Sequence, residues 1–281
     1  MNDVQQAILG TFEAVKSAFE TLNLRYFAIG GTAIGAVRHG GFIPWDDDID
    51  IALPIEDYLQ FIARANDVLP ERYRLQTFRG SEHNHNVFAK VVDTKTTCIE
   101  RKEAPYPDAY KGVWVDIMPM SGVPKGSAGT AFVRQVERFC YVSHVLPWRL
   151  SDMEKASHKA LWIACRPMKL RHSAQDVLTK WENLLAAHPF DDAELVGYTW
   201  SRRLEKFTFP KQWFDGCVEM PFEGMTISMP VGYDAYLTSQ FGDYMTIPPK
   251  EKQVVHFVFT DLHTPYAEYA KNPGKVQEAF K

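Results

Sequence analysis

The N-terminal part of the chain shows a helical pattern of apolar residues. Between residues 4 and 22, apolar side chains such as Ile8 and Phe12 recur at steps of three and four positions. This spacing places them on one face of an α-helix. We therefore predict an amphipathic helix over residues 4–22 that ends near Asn23, and a further helix over residues 56–69.

A short strand, a glycine turn and a second short helix are expected next. Residues 25–29 predict a strand, which the glycine pair in residues 30–32 interrupts. Residues 33–39 favour a helix, and Gly40 ends it because glycine tolerates the left-handed backbone that a helix end needs. The order is therefore strand, tight turn and helix.

Residues 46–53 alternate charged and apolar side chains at a period of two, which is typical of a β-strand. Ile49 and Ile51 then share one face, and Asp48 and Asp50 share the other. A run of aspartates alone would be typical of a solvated turn, but this alternation is not. Two carboxylates about 6.6 Å apart along a strand can converge on one cation. The pattern therefore favours a site for Mg²⁺ or Mn²⁺, which prefer hard oxygen ligands, over a solvated strand.

Further strands are predicted over residues 86–93 and 112–118, and in the second of these Trp114, Asp116 and Met118 share one face. Together with the helices described above, they make the first 120 residues a mixed α/β region.

The remainder of the chain is mainly helical and then β-like. Three stretches of helix length, rich in aromatic and aliphatic residues, predict a helical second lobe: 130–150, 151–170 and 174–187. Residues 207–230 favour strands, and residues 233–241 predict a helix that Gly242 ends.

Composition limits the classes of partner. The 281 residues carry a net charge of −4, and the pI of about 6.1 gives no general attraction to nucleic acid or anionic lipid. We therefore expect no nucleic-acid partner. The four cysteines form no CxxC pair, so a zinc knuckle is not indicated. The absence of a signal segment and of a long apolar run predicts a cytoplasmic protein.

Four residues near the aspartates could contact an anion. The backbone of Gly30, Gly31 and Thr32 at a helix start would offer N–H groups to a phosphate, and the Arg38 guanidinium could bind it in bidentate fashion. A glycine pair alone is more often a structural turn. Its proximity to the aspartates favours a phosphate-transfer site.

The segment GGTAIGAVRHGGFIPWDDDIDI resembles the motif of the LicD family, which comprises phosphocholine transferases of bacterial surface polysaccharides and is related to the fukutin-related proteins. Two further segments support the resemblance. VDIMPMSGVP, from Val115, is similar to the family's VDIFPLDGIP, and the stretch from Pro230 to Pro249 is similar to its YDxYL…YGDYMxLPP block.

The resemblance implies an α/β (α+β) fold, with a nucleotidyltransferase-type mixed sheet flanked by helices and a helical insert. On that basis we predict a catalytic core over residues 1–124, a helical insert over 125–205 that we expect to face the acceptor, and a C-terminal part over 206–281 that completes the active site.

The resemblance also implies roles for the residues already identified. Gly30, Gly31 and Thr32 hold phosphate, and Asp48 and Asp50 hold Mg²⁺. We expect Asp116 to lie on a neighbouring strand, where that fold places its third carboxylate. It acts as a metal ligand or as general base for the attacking hydroxyl, and we favour a base with a metal contact. Asp46 and Asp47 are candidates for an outer shell or a second metal.

The reaction that the resemblance implies is transfer of a phospho-alcohol from a CDP-alcohol, with CDP-choline favoured, to a sugar hydroxyl, with release of CMP. The acceptor would be a glycan or lipid-linked glycan of lipopolysaccharide, capsule or teichoic acid. Two alternatives stay open: a nucleotidyltransferase that moves an NMP from an NTP to a small hydroxylated acceptor, and a non-catalytic nucleotide-binding module. CMP or pyrophosphate release separates the two enzymes.

Weaker candidates lie outside these motifs. Aromatic and polar residues near the aspartates and the C-terminal motif could contact substrate, although aromatic residues at helical spacing are more often core: Trp45, Tyr233, Asp243, Tyr244, Lys250 and His256. The insert carries basic and aromatic residues that could meet a lipid-linked acceptor at the inner membrane surface: Trp148, Trp162, Trp181, Arg149, Arg166, Lys169, Arg171 and His172. A helical core with a basic rim is the alternative.

Overall fold

The computed structural model describes residues 1–79, 86–100, 111–145, 159–160, 162–163, 173–198, 204–253 and 257–271. The helices of this part of the chain are α1 (Asp3–Leu22), α2 (Gly30–His39), α3 (Ile55–Val68), α4 (Gly126–Val145), α5 (Ala174–Ala186), α6 (Tyr233–Phe241) and α7 (Tyr266–Ala270). The strands are β1 (Phe27–Ala28), β2 (Asp50–Pro54), β3 (Tyr73–Gln76), β4 (Ala89–Asp93), β5 (Thr97–Glu100), β6 (Trp114–Gly122), β7 (Leu195–Tyr198), β8 (Thr208–Pro210), β9 (Cys217–Phe222), β10 (Met225–Pro230) and β11 (Phe257–Asp261). Short 3-10 helices cover Leu204–Phe207, Lys211–Phe214 and Lys250–Lys252.

A mixed sheet forms the centre of the molecule. Its main path runs β1-β2-β6-β4-β3, and β6 extends far enough to pair also with β7, which in turn pairs with β8. The β2–β6 pair is parallel, whereas β6 is antiparallel to β4. The long strand β6 is buried along its whole length. It is therefore the strand around which the sheet is organised.

Helices cover the sheet and close one large hydrophobic core. Helices α1 and α3 contact each other and β6, and α2 contacts β2, β9 and α6. In the insert region, α4 packs on α5, and α5 also contacts β6. The fold is thus the predicted α+β arrangement, with a mixed sheet flanked by helices.

Most of the helices predicted from periodicity are confirmed. The N-terminal helix ends at Leu22, where Asn23 adopts the left-handed conformation with φ of 53°. Helix α6 spans the predicted residues 233–241 and is followed by Gly242. The predicted helix over 151–170 lies almost entirely outside the described residues.

Two predicted boundaries near the aspartates were wrong. Helix α2 begins at Gly30 rather than at Ala33. The predicted strand over residues 46–53 begins only at Asp50, because Gln5 holds the preceding loop by donating from Nε2 to the carbonyl oxygens of Ile43 and Asp46. Asp48 therefore belongs to a loop, and it does not share a strand face with Asp50.

The predicted basic and aromatic surface of the insert also needs one correction. The indole of Trp181 on α5 is fully buried, so it belongs to the helical core and is not available to a membrane. Trp162 is partly buried. The other residues of that predicted surface, Trp148, Arg149, Arg166, Lys169, Arg171 and His172, lie outside the described residues. Within the part of the chain that is described, no helix is both long and apolar enough to cross a bilayer.

Candidate active site

Three charged residues lie in one row across the centre of the sheet. Asp50 on β2 is the register partner of Asp116 on the parallel strand β6, and Asp116 is in turn the register partner of Lys90 on β4. Residues directly opposite on neighbouring strands point to the same face, and the strands are about 4.8 Å apart. The two carboxylates that were predicted to lie on neighbouring strands are therefore adjacent.

A second set of carboxylates comes from the loop before β2. Side-chain oxygens of Asp46, Asp47 and Asp48 lie within 4.8 Å of one another. Asp47 is buried, while Asp46 and Asp48 are partly exposed. Because β2 follows this loop directly, both sets of carboxylates lie in the same region.

The electrostatic environment of Asp50 shows how closely these groups interact. Burial raises the pKa of its carboxyl well above the usual range, and the negative charges of Asp48, Asp116 and Asp46 raise it further. Lys90 opposes this rise with its positive charge. Asp50 therefore lies at the centre of a group of four carboxylates that repel one another.

The environment of Lys90 is largely closed to water, since only 5% of the residue is exposed. Its Nζ lies 3.8 Å from Oδ1 of Asp116 and 3.7 Å from the centroid of the Trp114 ring. Sequence reasoning missed this residue. The available signal was a single lysine within the apolar strand segment NVFAKVVD.

The start of α2 faces the carboxylates. A Cβ on Gly31 would lie 2.4 Å from Oδ2 of Asp46, and a Cβ on Gly30, whose φ is +58°, would lie 3.2 Å from Oδ2 of Asp50. A side chain at position 31 would displace the Asp46 carboxylate, and one at position 30 would also require a backbone conformation that L-residues rarely adopt. The helix dipole favours negative charge at this end, so it stabilises the carboxylates that lie there.

Two of the groups predicted to hold phosphate also make contacts within the protein. The Gly30 N–H donates to the hydroxyl of Tyr236, and the Thr32 hydroxyl accepts from the N–H of Asp50 at 2.8 Å. The Tyr236 hydroxyl is also 3.1 Å from that of Tyr198. Thr32 and Tyr236 therefore hold the start of α2 and the start of β2 in place, and a phosphate role for the turn stays a prediction.

Arg38 makes contacts other than the predicted one. Its Nη1 donates to the carbonyl oxygen of Tyr244 at 2.7 Å and to that of Thr246 at 3.3 Å. The guanidinium therefore connects α2 to the loop after α6. Its contact with phosphate stays a prediction, which would have to use its remaining N–H groups.

The weaker candidates are distributed around the C-terminal motif. Tyr244 is buried and donates to Asp234, and Asp243 accepts from Thr246. Lys250 is exposed. Trp45 and Tyr233 are partly buried and pack against the core. His256 lies outside the described residues.

The donor set fits a hard divalent cation. Carboxylate oxygens are the ligands that Mg²⁺ and Mn²⁺ prefer, and four carboxylates that repel one another gain stability when a cation is shared between them. Asp46, Asp47 and Asp48 have carboxylate oxygens within 4.8 Å of one another and could hold such an ion. Asp50 interacts electrostatically with Asp46, Asp48 and Asp116, and Lys90 is a positive charge on the far side of Asp116.

Comparison with known proteins agrees with this arrangement. The LicD/FKTN/FKRP nucleotidyltransferase domain matches residues 23–160, which include all of these carboxylates. The chain is 26% identical over 265 residues to the lipopolysaccharide cholinephosphotransferase LicD of Haemophilus influenzae, a match that covers 92% of this chain and 96% of that protein. It is also 40% identical over 52 residues to the ribitol 5-phosphate transferase FKRP of Mus musculus and of Homo sapiens, which covers 18% of this chain and 10% of each relative. The order of the motifs, the sheet that carries the carboxylates and these matches lead to one conclusion: this chain carries a LicD/FKTN/FKRP nucleotidyltransferase domain and is similar over most of its length to a LicD-type phosphotransferase.

Proposed function

We propose that this protein transfers a phospho-alcohol, with phosphocholine favoured, from a CDP-alcohol to a sugar hydroxyl of a cell-surface glycan, with release of CMP. The observation that carries the proposal is the pairing of Asp50 with Asp116 on parallel strands, beside the Asp46–Asp48 loop and the start of α2. Adjacent carboxylates next to a helix N-terminus suit the transfer of a charged phosphoryl group.

In this proposal, Asp48 and Asp50 hold Mg²⁺ or Mn²⁺, with a contact from Asp116 and with Asp46 as a further candidate ligand. The ion, when bound, neutralises negative charge that develops on the transferred phosphoryl group. The strong repulsion at Asp50 supports this assignment, because the site is costly to assemble without a positive ion.

Asp116 is the proposed general base. A sugar hydroxyl must lose its proton as its oxygen attacks phosphorus, and a carboxylate within hydrogen-bond reach accepts that proton. The Lys90 ammonium lies 3.8 Å from Oδ1 of Asp116 and places a positive charge beside this carboxylate. Asp116 is 8% exposed, so little of it is open to solvent.

The choice of alcohol and acceptor rests on the relatives. The Haemophilus influenzae relative is named as a cholinephosphotransferase that acts on lipopolysaccharide, and FKRP as a ribitol 5-phosphate transferase. Both names describe transfer of a phosphorylated alcohol. Because the first match spans nearly the whole chain, we favour choline as the alcohol and a lipopolysaccharide-type glycan, free or lipid-linked, as the acceptor, with capsule and teichoic acid as other acceptors. We propose that the reaction takes place in the cytoplasm, at or near the inner membrane surface.

The alternative is a nucleotidyltransferase that transfers an NMP from an NTP. The name of the matched domain, a nucleotidyltransferase domain, favours this alternative. Purified protein incubated with CDP-choline, CDP-ribitol or an NTP, with Mg²⁺ or EDTA and a glycan extract, separates the two. We expect Mg²⁺-dependent CMP release from a CDP-alcohol that is lost in Asp50→Asn. Release of pyrophosphate alone would replace the proposal with the alternative.

A further inference from the structure

Lys90 is a buried cation at the end of the row that Asp50 and Asp116 begin. Strand β6 lies between β2 and β4, so Asp116 has Asp50 on one side and Lys90 on the other. The Lys90 Nζ lies 3.8 Å from Asp116 Oδ1. The row therefore places two carboxylates and then an ammonium group on three adjacent strands.

The surroundings of Lys90 make this position costly for an ammonium group. Lys90 itself is only 5% exposed. Its Nζ packs 3.7 Å from the centroid of the Trp114 ring, and Trp114 lies two residues before Asp116 on β6. Burying a charged amine requires a compensating partner, and here the compensation comes from the Asp116 carboxylate and the indole face.

We propose that Lys90 is a positioning residue, whose ammonium, fixed over the Trp114 ring, holds the Asp116 carboxylate in the orientation in which it serves the reacting hydroxyl. The proposal rests on the phosphotransfer function proposed above. Asp116 is flanked by negative charge on the side of Asp50, and this charge pushes its carboxylate away from the site. The attraction of Lys90 on the opposite side opposes that displacement and fixes the carboxylate between the two strands.

The chain offers a matched control for Lys90. Lys111 is also buried, at 1% exposure, and its Nζ lies 5.3 Å from the ring centroid of Tyr266. Lys111→Met therefore removes a buried ammonium and a cation–π contact to α7, outside the row that Asp50, Asp116 and Lys90 form.

The first measurement is a double-mutant cycle on thermal unfolding in EDTA, with Lys90→Met, Asp116→Asn and the double variant. Removing one member of a buried ion pair leaves the other without compensation, whereas removing both relieves that cost. We expect Lys90→Met to lower the Tm and the added Asp116→Asn to restore much of the loss. Lys111→Met should also lower the Tm, but Asp116→Asn should not restore it. Additive effects of Lys90→Met and Asp116→Asn would overturn the proposal.

The second measurement distinguishes positioning from a purely structural contact. In steady-state kinetics, Lys90→Met should lower kcat about 100-fold, since a displaced catalytic group costs rate of this order, and leave the donor KM within about 2-fold. Lys90→Arg, which keeps the charge, should recover part of the lost kcat, whereas Lys111→Met should keep the wild-type kcat. An unchanged kcat in folded Lys90→Met would overturn the proposal, as would equal kcat values for Lys90→Met and Lys90→Arg.

Failure of this proposal and failure of the proposed function give different results. If the wild-type protein releases pyrophosphate instead of CMP, the proposed donor is rejected. The kcat values of the Lys90 and Lys111 variants are then measured by pyrophosphate release. If Lys90→Met does not fold, Lys90→Gln and Lys90→Arg take its place. Both keep a polar end group, and only the arginine keeps the charge, so equal kcat values in these two variants would also overturn the proposal.

Discussion

Asp50 and Asp116 are register partners on parallel strands, which places their carboxylates side by side although they are 66 positions apart in the chain. Burial and repulsion from Asp48, Asp116 and Asp46 raise the pKa of Asp50. A group that is destabilised in this way in the folded protein is typical of a functional site, where stability is given up for chemistry.

The first prediction follows from that repulsion. Asp50→Asn should lower kcat by about 10²–10⁴-fold, because it removes a charge that the proposed mechanism uses. It should raise the Tm in EDTA by about 2 °C, because the repulsion between the carboxylates is relieved. Thermal unfolding and CMP release measure the two effects. Asp67→Asn is the control, since Asp67 is exposed and pairs only with Arg64 among the described residues. Loss of activity together with loss of stability in Asp50→Asn would contradict the prediction.

The second prediction concerns the close approach of Asp46 to α2. Gly31→Ala would place a Cβ 2.4 Å from Asp46 Oδ2, so the carboxylate must move. Alanine is otherwise favoured over glycine in a helix by about 1 kcal/mol. We therefore expect unchanged or slightly higher stability with activity reduced about 10-fold or more, by analogy with other displaced catalytic groups. Gly216→Ala, where a Cβ would meet nothing within 4 Å, should leave the activity unchanged.

Much of the fold could be predicted from the sequence, because apolar periodicity is a local property. Helix α1, helix α6 and strand β6 appear close to their predicted positions, and each has a continuous pattern of buried side chains or a residue that ends it. The adjacency of Asp50 and Asp116 was predicted too, but it came from resemblance to a family. No local pattern indicates which strands of a sheet are neighbours.

The parts that were not predicted depend on contacts between distant segments. Asp48 was assigned to a strand because its alternation with Ile49 fits one, yet Gln5 of α1 holds the loop in another conformation. Lys90 and Tyr236 became visible only when the sheet order and the position of α6 were known. These are side-chain contacts between residues 26 to 206 positions apart in the chain, which periodicity cannot report.

The third prediction is a pH dependence. The pKa of Asp50 is higher in the folded protein than its ordinary value, so the folded state binds this proton more tightly than the unfolded state does. In EDTA and above its folded-state pKa, the ionised Asp50 lowers the free energy of unfolding. This destabilisation decreases as the pH falls from the folded-state pKa toward the unfolded-state pKa of about 3.9. The Tm of wild type should therefore rise relative to that of Asp50→Asn as the pH is lowered from 8 to 5. A difference that stays constant over this range would contradict the prediction.

The fourth prediction tests the support of α2 by α6. Tyr236→Phe keeps the ring contacts with Phe209 and Phe214 but leaves the Gly30 N–H without its acceptor. We expect a loss of about 1–2 kcal/mol in the free energy of unfolding, the cost of an unpaired buried donor, and a lower kcat. Tyr198→Phe removes the neighbouring hydroxyl but leaves the contact between Tyr236 and Gly30. It should therefore affect kcat less than Tyr236→Phe does, and equal effects would exclude a specific role for the Gly30 contact.

The last prediction separates two roles for Arg38. The structure shows its guanidinium bound to the carbonyl oxygens of Tyr244 and Thr246, whereas the sequence suggested a phosphate contact. If the main role of Arg38 is to hold the loop after α6, Arg38→Lys should speed hydrogen exchange of the backbone amides over residues 243–247. A lysine cannot reproduce the planar donor geometry that binds both carbonyl oxygens. The donor KM should then stay near the wild-type value. If Arg38 instead binds the donor phosphates, Arg38→Lys should raise the donor KM without a change in hydrogen exchange. Measuring hydrogen exchange and the donor KM on the same variant therefore shows whether Arg38 holds the loop or binds the substrate.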